Sequence, residues 1–172
     1  MHLLGDDGKY NLKESKVYYC DKTRANGNKC QDVETIGYFV NYEGGNVKNA
    51  FKCPTKSTCV EYTVTAISCT NENIGLIYKT GESGSEVVHL CLHHDGVSTA
   101  SVAKMTDNDA GNYMLSYHNT NNVFGLSGST EYAMVSVTKN FIKLNTSCTY
   151  PSSYNNIILL FFKYKNIISL KK

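Results

Sequence analysis

Short runs of alternating apolar and polar residues recur along this chain, separated by turn signals. Residues 36–40 and 47–51 flank the tetrapeptide EGGN at 43–46, which predicts a β-hairpin. Residues 59–67 alternate β-branched with polar side chains, a pattern typical of a half-buried strand. The hydrophobic pattern of this region therefore favours sheet over helix.

The same arrangement predicts three further hairpins. Residues 74–79 and 86–92 flank a Gly/Ser turn, and residues 112–117 and 122–126 flank a turn of Asn and Thr. Residues 132–138 and 141–144 flank the dipeptide KN at 139–140, where Asn tolerates the left-handed conformation of a tight turn. Residues 97–105 are long enough for two helical turns, but their β-branched content argues against a helix. The whole chain is therefore predicted to be all-β with little helix.

Composition and charge exclude two classes of partner. The net charge is only +2 and the lysines are scattered, whereas nucleic-acid binding needs a concentrated basic face. The longest apolar run, residues 157–162, falls well short of the roughly 20 residues that a membrane-spanning helix requires. We therefore expect neither a nucleic-acid partner nor a membrane span.

Cysteine is the most informative residue type. No two cysteines are spaced as Cys-x-x-Cys, which argues against a structural zinc site and against a redox-active pair. Buried free thiols are the plain alternative, but many cysteines in polar surroundings favour disulfides and therefore an oxidising compartment. Six cysteines permit 15 pairings, among which we expect the sequence-local one. The expected bridges are Cys20–Cys30, Cys53–Cys59 and Cys69–Cys91, with Cys148 left as a free or intermolecular thiol.

These features predict a disulfide-stapled set of antiparallel hairpins forming a sandwich or barrel-like domain over residues 17–150. Residues 1–16 are interpreted as a leader or linker, too short in apolar sequence for a secretory signal. Residues 151–172 are an atypical apolar and basic tail with no turn chemistry. The tail is either a last element covering the core, an interaction segment, or translated non-coding sequence.

Candidate catalytic and metal-binding residues are few. The acid pairs Asp107/Asp109 and Glu82/Glu86 lie in turn-like segments, where solvated loop acids are the simpler interpretation. The dipeptide HH at 93–94 ends a strand, and adjacent strand residues point to opposite faces, which disfavours a shared ion. Residues 107–109 resemble a calcium loop only faintly, because no bidentate Glu closes it. We expect no enzyme activity, no metal and no cofactor.

Two features suit an exported, partner-binding surface. Asn145-Thr146-Ser147 is an N-glycosylation sequon, which agrees with the cysteines in favouring export. Tyrosine outnumbers phenylalanine by 13 to 6, and tyrosine offers large rigid contact area with a polar tip. The alternative is that half or more of the strand tyrosines serve the core or the sheet faces. These tyrosines are Tyr18, Tyr19, Tyr38, Tyr42, Tyr62, Tyr78, Tyr113, Tyr117 and Tyr132.

A family pattern emerges when the cysteines are taken together with their neighbours. The segments are CDK at 20–22, Cys30, IGYFVN at 36–41, FKC at 51–53, Cys59, Cys69, IGLI at 74–77 and HLCL at 89–92, followed by NYML at 112–115, VFG at 123–125 and VSVTKN at 135–140. Over residues 17–148 the chain resembles the cysteine-containing scaffoldin repeats of anaerobic gut fungi. The unpaired Cys148 and the tail depart from that pattern.

The resemblance implies a function. Such repeats are proposed to act as cohesin-like modules that recruit dockerin-bearing plant-cell-wall-degrading enzymes into a cellulosome, outside the cell. The expected partners are therefore dockerin domains of secreted enzymes, bound at a surface that the sequence does not identify. The alternative is a carbohydrate-binding module in which exposed tyrosines stack on a polysaccharide.

Overall fold

The computed structural model describes residues 5–24, 29–93, 100–116, 124 and 131–149, with the backbone alone at a few strand positions. Within these residues the chain forms twelve β-strands and one short 3₁₀ helix, Asn71–Asn73. Every strand pairing is antiparallel. The all-β fold class with little helix is confirmed.

The N-terminal sheet has three strands in the order β1-β2-β3. Its strands are β1 Lys9–Lys13, β2 Lys16–Cys20 and β3 Cys30–Asp32. Glu14 and Ser15 turn the chain between β1 and β2 at φ of 50° and 60°. Both values lie in the left-handed region, which a two-residue hairpin of this kind requires but side chains disfavour.

The central sheet has six strands in the order β10-β11-β12-β4-β5-β6. Its N-terminal members are β4 Gly37–Glu43, β5 Asn46–Cys53 and β6 Val60–Tyr62, and its C-terminal members are β10 Gly111–Ser116, β11 Glu131–Val137 and β12 Phe141–Thr149. β4 and β12 join the two halves by pairing Phe39 with Phe141.

The back sheet has three strands in the order β7-β8-β9. These are β7 Ile77–Thr80, β8 Val87–His93 and β9 Ala100–Met105. Two hydrogen bonds join this sheet to the chain that precedes it. Tyr62 Oη of β6 donates to the Ile77 carbonyl of β7 at 3.2 Å. Lys79 N likewise donates to the Thr65 carbonyl at 3.0 Å.

The central sheet lies between the other two, and its strands present alternate residues to each. Towards the back sheet it contributes Tyr38, Val40, Ala50, Val135, Val137 and Ile142 to the larger core, opposite Ile77, Val88, Leu90 and Met105. Towards the N-terminal sheet it contributes Phe39, Phe51 and Cys53, which meet Tyr10, Val17 and Cys59 in a smaller core. The predicted sandwich therefore carries a third layer.

Three disulfides close this structure, and they are the sequence-local ones. Cys20–Cys30 joins facing residues of β2 and β3, Cys53–Cys59 closes the loop between β5 and β6, and Cys69–Cys91 ties the segment before β7 to β8. The second belongs to the smaller core. The disulfides are compatible with an oxidising environment.

The predicted strands are found with some shifts. The hairpins at 36–51, 74–92 and 132–144 form as expected. The predicted strand at 59–67 shrinks to β6, because the chain then leaves the central sheet and buries Val64 against the back sheet. β10 pairs with β11, and the predicted partner strand at 122–126 lies outside the described residues apart from Phe124.

The folded unit begins earlier than the predicted boundary at residue 17. β1 lies within residues 1–16 and pairs with β2 along its whole length. Tyr10 from β1 is 8% exposed and belongs to the smaller core. Residues 9–16 therefore pack within the domain, whereas the tail at 151–172 lies outside the described residues. Within the described part of the chain, no helix is both long and apolar enough to span a bilayer.

Candidate binding groove

A groove of about 520 Å³ opens between the N-terminal sheet and strand β12 of the central sheet. The hairpin turn of β1 and β2 lies at the opposite end, where Cys59 N donates to the Ser15 carbonyl at 2.8 Å. At the other end of the sheet, Arg24 and Gln31 line the groove together with Phe141 and Lys143 of β12. The lining residues are Gly8, Tyr10, Tyr19, Arg24, Gln31, Asp32, Val33, Phe39, Thr138, Asn140, Phe141 and Lys143.

Aromatic rings form the floor of the groove. The Tyr10 ring lies 5.0 Å from the Phe39 ring and 5.1 Å from the Tyr19 ring, between centroids and with tilted planes. Burial raises the pKa of the Tyr10 hydroxyl, and Tyr19 raises it further. The Tyr10 hydroxyl therefore stays protonated at physiological pH. Tyr10 contributes a neutral side chain to the apolar floor.

A buried asparagine fixes the position of Tyr10. The Asn41 side chain, 4% exposed, accepts from Tyr10 N at 2.9 Å and donates to the Tyr10 carbonyl at 2.8 Å. This amide takes the place of a neighbouring strand at the edge of β1, so both buried backbone groups are satisfied. Lys9 Nζ adds a bond to the Tyr42 carbonyl at 2.5 Å.

Polar and cationic side chains form the rim. Arg24 donates from Nη1 to Gln31 Oε1 at 2.5 Å, which joins the β2–β3 loop to strand β3. On the opposite wall, Lys143 Nζ lies 4.8 Å from the centre of the Phe141 ring, in cation–π range. The groove thus combines an apolar floor with two cations and an amide.

The loop that carries Arg24 is shaped locally. Asp21 Oδ1 accepts from Thr23 N at 2.8 Å and from Thr23 Oγ1 at 2.6 Å, and these bonds lower the pKa of the Asp21 carboxyl. Lys22 N donates to Asp7 Oδ1 at 2.5 Å, which ties the loop to the segment before β1. Below these bonds, the Cys20–Cys30 disulfide holds the two strands together.

A second depression of about 400 Å³ lies at the end of the molecule where the hairpin turns of the central and back sheets meet. Hydrogen bonds, an ion pair and a close backbone contact hold the β4–β5 and β7–β8 turns together. Glu86 Oε2 accepts from Val47 N at 2.7 Å, and Glu86 Oε1 meets Lys79 Nζ at 2.6 Å, both of which lower the pKa of the Glu86 carboxyl. Gly45, at φ +78°, lies so close to Gly84 that a Cβ would collide with its carbonyl. This end is a structural junction.

Two of the acidic residues considered for catalysis make structural contacts. Glu86 belongs to the junction just described, and Asp109 bonds Thr106 within its own turn. Among the described residues, no group of three His, Cys, Asp or Glu is placed to hold a metal ion. The His93 side chain and His94 lie outside what the structure describes.

Two other predicted sites fall on β12. Asn145 is exposed, and a register shift between β11 and β12 leaves it without a facing residue, as in a β-bulge. Its Nδ2 donates to Ser136 Oγ at 2.7 Å and to Asn112 Oδ1 at 3.3 Å. The backbone of Cys148 faces Tyr132 on β11, and its side chain lies outside the described part.

Tyrosines whose burial is described are buried or half-buried. Tyr38 and Tyr78 are 0% and 6% exposed, and Tyr38 Oη donates to the Gly75 carbonyl at 2.8 Å. Tyr18, Tyr19, Tyr42 and Tyr62 are intermediate. These positions fit the alternative in which strand tyrosines serve the core and the sheet faces. Tyr113, Tyr117 and Tyr132 have side chains outside the described part.

Sequence reasoning missed Arg24 and Lys143. One signal was available for Arg24, since it is the only arginine in the chain and lies between two cysteines. No pattern along the chain indicates that Lys143, 119 positions later, faces the same groove.

Comparison with known proteins finds no family model that matches the chain, and no similar curated protein or solved structure.

Proposed function

We propose that the chain is an extracellular, noncatalytic protein-binding module that recruits dockerin-bearing plant-cell-wall-degrading enzymes. The observation that carries this proposal is the groove beside the Cys20–Cys30 loop, with its aromatic floor and polar rim. Aromatic and arginine side chains are the residues that contribute most to protein interfaces. The dockerin as partner rests on the similarity of the cysteine-bearing segments to scaffoldin repeats.

The noncatalytic part of the proposal is supported by how the acids of the groove are used. Asp32, the carboxylate in its lining, pairs with Lys16 Nζ at 2.8 Å. This ion pair raises the pKa of the Lys16 ammonium. A carboxylate held in this way contributes to the groove wall, whereas a glycoside hydrolase needs two carboxyl groups facing one bond.

The extracellular part is supported by the three disulfides. A module exposed to dilution and proteases benefits from bridges that restrict the unfolded chain, each by about 2–4 kcal/mol. Cys20–Cys30 joins β2 to β3 at the end of the N-terminal sheet that carries Arg24, and Cys53–Cys59 belongs to the smaller core. Both bridges therefore stabilise the part of the domain that carries the proposed contacts.

A binding assay tests the module. The full chain, produced with its disulfides formed, is immobilised and exposed to a dockerin-bearing fungal cell-wall hydrolase, and to the same hydrolase without its dockerin. We expect the intact enzyme to bind with Kd of about 1 µM or tighter and the truncated enzyme to pass through. Equal passage of both enzymes at about 10 µM would contradict the proposal.

The aromatic floor favours one alternative, a carbohydrate-binding module. Sugar rings stack on aromatic faces, and Tyr19 is the half-exposed ring of the floor. Binding to insoluble cellulose or soluble xylan, lost in Tyr19→Ala and retained in the matched variant Tyr18→Ala, would favour this alternative over protein binding.

A further inference from the structure

The two cations of the groove form no ion pair with a carboxylate of the described residues. The ion pairs found there involve Lys13, Lys16, Lys22, Lys48 and Lys79. Neither Arg24 nor Lys143 forms one with a described carboxylate. Arg24 instead bonds the neutral amide of Gln31, and Lys143 lies over the Phe141 ring.

The carboxylates nearest to the rim already have partners. Asp32 pairs with Lys16 at 2.8 Å, and Asp7 Oδ2 pairs with Lys22 Nζ at 3.3 Å. Asp21 accepts two bonds from Thr23, and the charge of Arg24 also lowers the pKa of its carboxyl. The groove lining itself carries two cations against the one carboxylate of Asp32, whose partner is Lys16.

The choice of residue at the rim sharpens the chemistry. Arg24 is the only arginine among 17 basic residues, so the rim carries a guanidinium in a chain that otherwise uses lysine. The guanidinium presents five donors in a planar fork that matches a carboxylate. Its bond to Gln31 uses one of those donors and orients the group at the mouth of the groove.

Amide and aromatic groups make the site suitable for a peptide. Gln31 and Asn140 line the groove. Gln31 Oε1 accepts from Arg24, and Asn140 Nδ2 donates to the Val40 carbonyl at 3.1 Å. Gln31 Nε2 and Asn140 Oδ1 are therefore the atoms that would meet a peptide backbone. The floor of Tyr10, Tyr19 and Phe39 offers an apolar seat for one anchoring side chain.

We propose, building on the protein-binding function above, that this groove takes an acidic peptide segment of the partner protein. An apolar or aromatic side chain of the segment lies on the floor. Its flanking carboxylates pair with Arg24 on one side and Lys143 on the other. The outer end of the segment lies over β12, where Lys143 faces Ser136 of β11 across the strand pair.

The test uses the full chain, two double variants and one single variant. Arg24→Gln with Lys143→Gln removes both groove cations. Lys56→Gln with Lys104→Gln removes the same charge from two exposed positions outside the groove lining. Arg24→Lys keeps the charge but loses the planar fork. Unchanged unfolding midpoints establish that each variant is folded.

The probes are a short peptide with one Tyr flanked by Glu residues, the same peptide with Gln in place of every Glu, and an oligogalacturonate. Titrations are followed by amide chemical shifts of the labelled chain, which report both affinity and location. The intact dockerin-bearing hydrolase is assayed against the same variants.

We expect the Glu peptide to bind at least tenfold tighter than the Gln peptide, with shifts centred on Arg24, Gln31 and Lys143. The groove variant loses at least tenfold in affinity for both peptide and hydrolase, Arg24→Lys loses less, and the Lys56/Lys104 variant stays within about twofold. Added salt weakens the complex, because the carboxylates and cations are screened.

Three titration results would overturn the inference. One is equal binding of the Glu and Gln peptides. Another is equal loss in the groove variant and its charge-matched control. The third is groove binding of oligogalacturonate without peptide binding, which would assign the groove to an acidic polysaccharide. Full hydrolase binding by the groove variant refutes the groove while leaving the module intact. Peptide binding without hydrolase binding supports the groove and refutes the dockerin function.

Discussion

The two faces of the central sheet are packed by layers of similar strand number but different character. The face towards the back sheet buries aliphatic side chains continuously, from Val40 and Ile142 to Leu90. The face towards the N-terminal sheet buries a smaller, mainly aromatic cluster around Tyr10 and Phe39, and then opens into the groove. The same strands therefore provide stability on one face and a binding surface on the other.

The interactions that attach the two layers to the central sheet differ as well. The back sheet is held by close packing, by turns that Glu86 joins through hydrogen bonds, and by the Cys69–Cys91 bridge. The N-terminal sheet contains the Cys20–Cys30 bridge and is attached to the central sheet by the smaller core and the buried amide of Asn41. Small layers bury too little apolar surface to be stable alone, so covalent links and specific hydrogen bonds take a larger share.

Truncating matched leucines in the two layers should give the largest contrast. Leu90, 0% exposed in the larger core, should cost about 2–5 kcal/mol of unfolding free energy as Leu90→Ala. Leu12→Ala, at a half-buried position beside the smaller core, should cost less, because solvent already reaches the side chain. Urea unfolding measures both. Equal losses would mean that the two layers contribute alike.

Removing disulfides tests how much each bridge stabilises the fold. The pair Cys20→Ser and Cys30→Ser should lower the unfolding free energy by about 2–4 kcal/mol. The pair Cys69→Ser and Cys91→Ser should cost about 0.6 kcal/mol more, since this bridge spans 22 residues against 10. Urea unfolding of both double variants decides. The reverse order would show that native-state effects outweigh loop closure.

Asn41→Ala should cost about 1–3 kcal/mol, because Tyr10 N and its carbonyl lose their partner in a buried place. Amide exchange should show faster opening of β1, while β8 keeps its protection. Asn49→Ala is the control. The exposed Asn49 side chain accepts from Asn41 Nδ2, and its removal leaves both bonds between Asn41 and Tyr10 in place. Uniform loss of protection across all three sheets would argue against separate layers.

His89 on β8 should give the smallest effect, seen in pH dependence. Burial lowers its pKa below the ordinary value, and Lys104 lowers it further, against a smaller opposing effect of Asp109. The folded state therefore binds the proton less readily than the unfolded state. Stability from this group is present above about pH 6.5 and is lost as the pH falls below it. Melting temperatures between about pH 7.5 and 5.5 measure this loss, which His89→Gln should reduce. An unchanged pH profile in that variant would contradict it.

Local patterns predicted much of the fold. The β4–β5 hairpin follows from Gly44 and Gly45, both in the left-handed conformation that its turn requires. The sequence did not predict the β1–β2 hairpin, because Glu14 and Ser15 adopt the left-handed region without an Asn-Gly signal. Ser15 also contacts Cys59, a residue that lies far from it along the chain.

The sequence by itself determined that the protein is all-β and where the hairpins at 36–51, 74–92 and 132–144 turn. Strand alternation and turn chemistry are local, so they can be seen in neighbouring residues. Only the tertiary structure decided that three sheets stack, that β10 pairs with β11, and that Arg24 and Lys143 line one groove. Arg24 and Lys143 lie 119 positions apart, and the stacking of the sheets depends on which apolar faces bury each other.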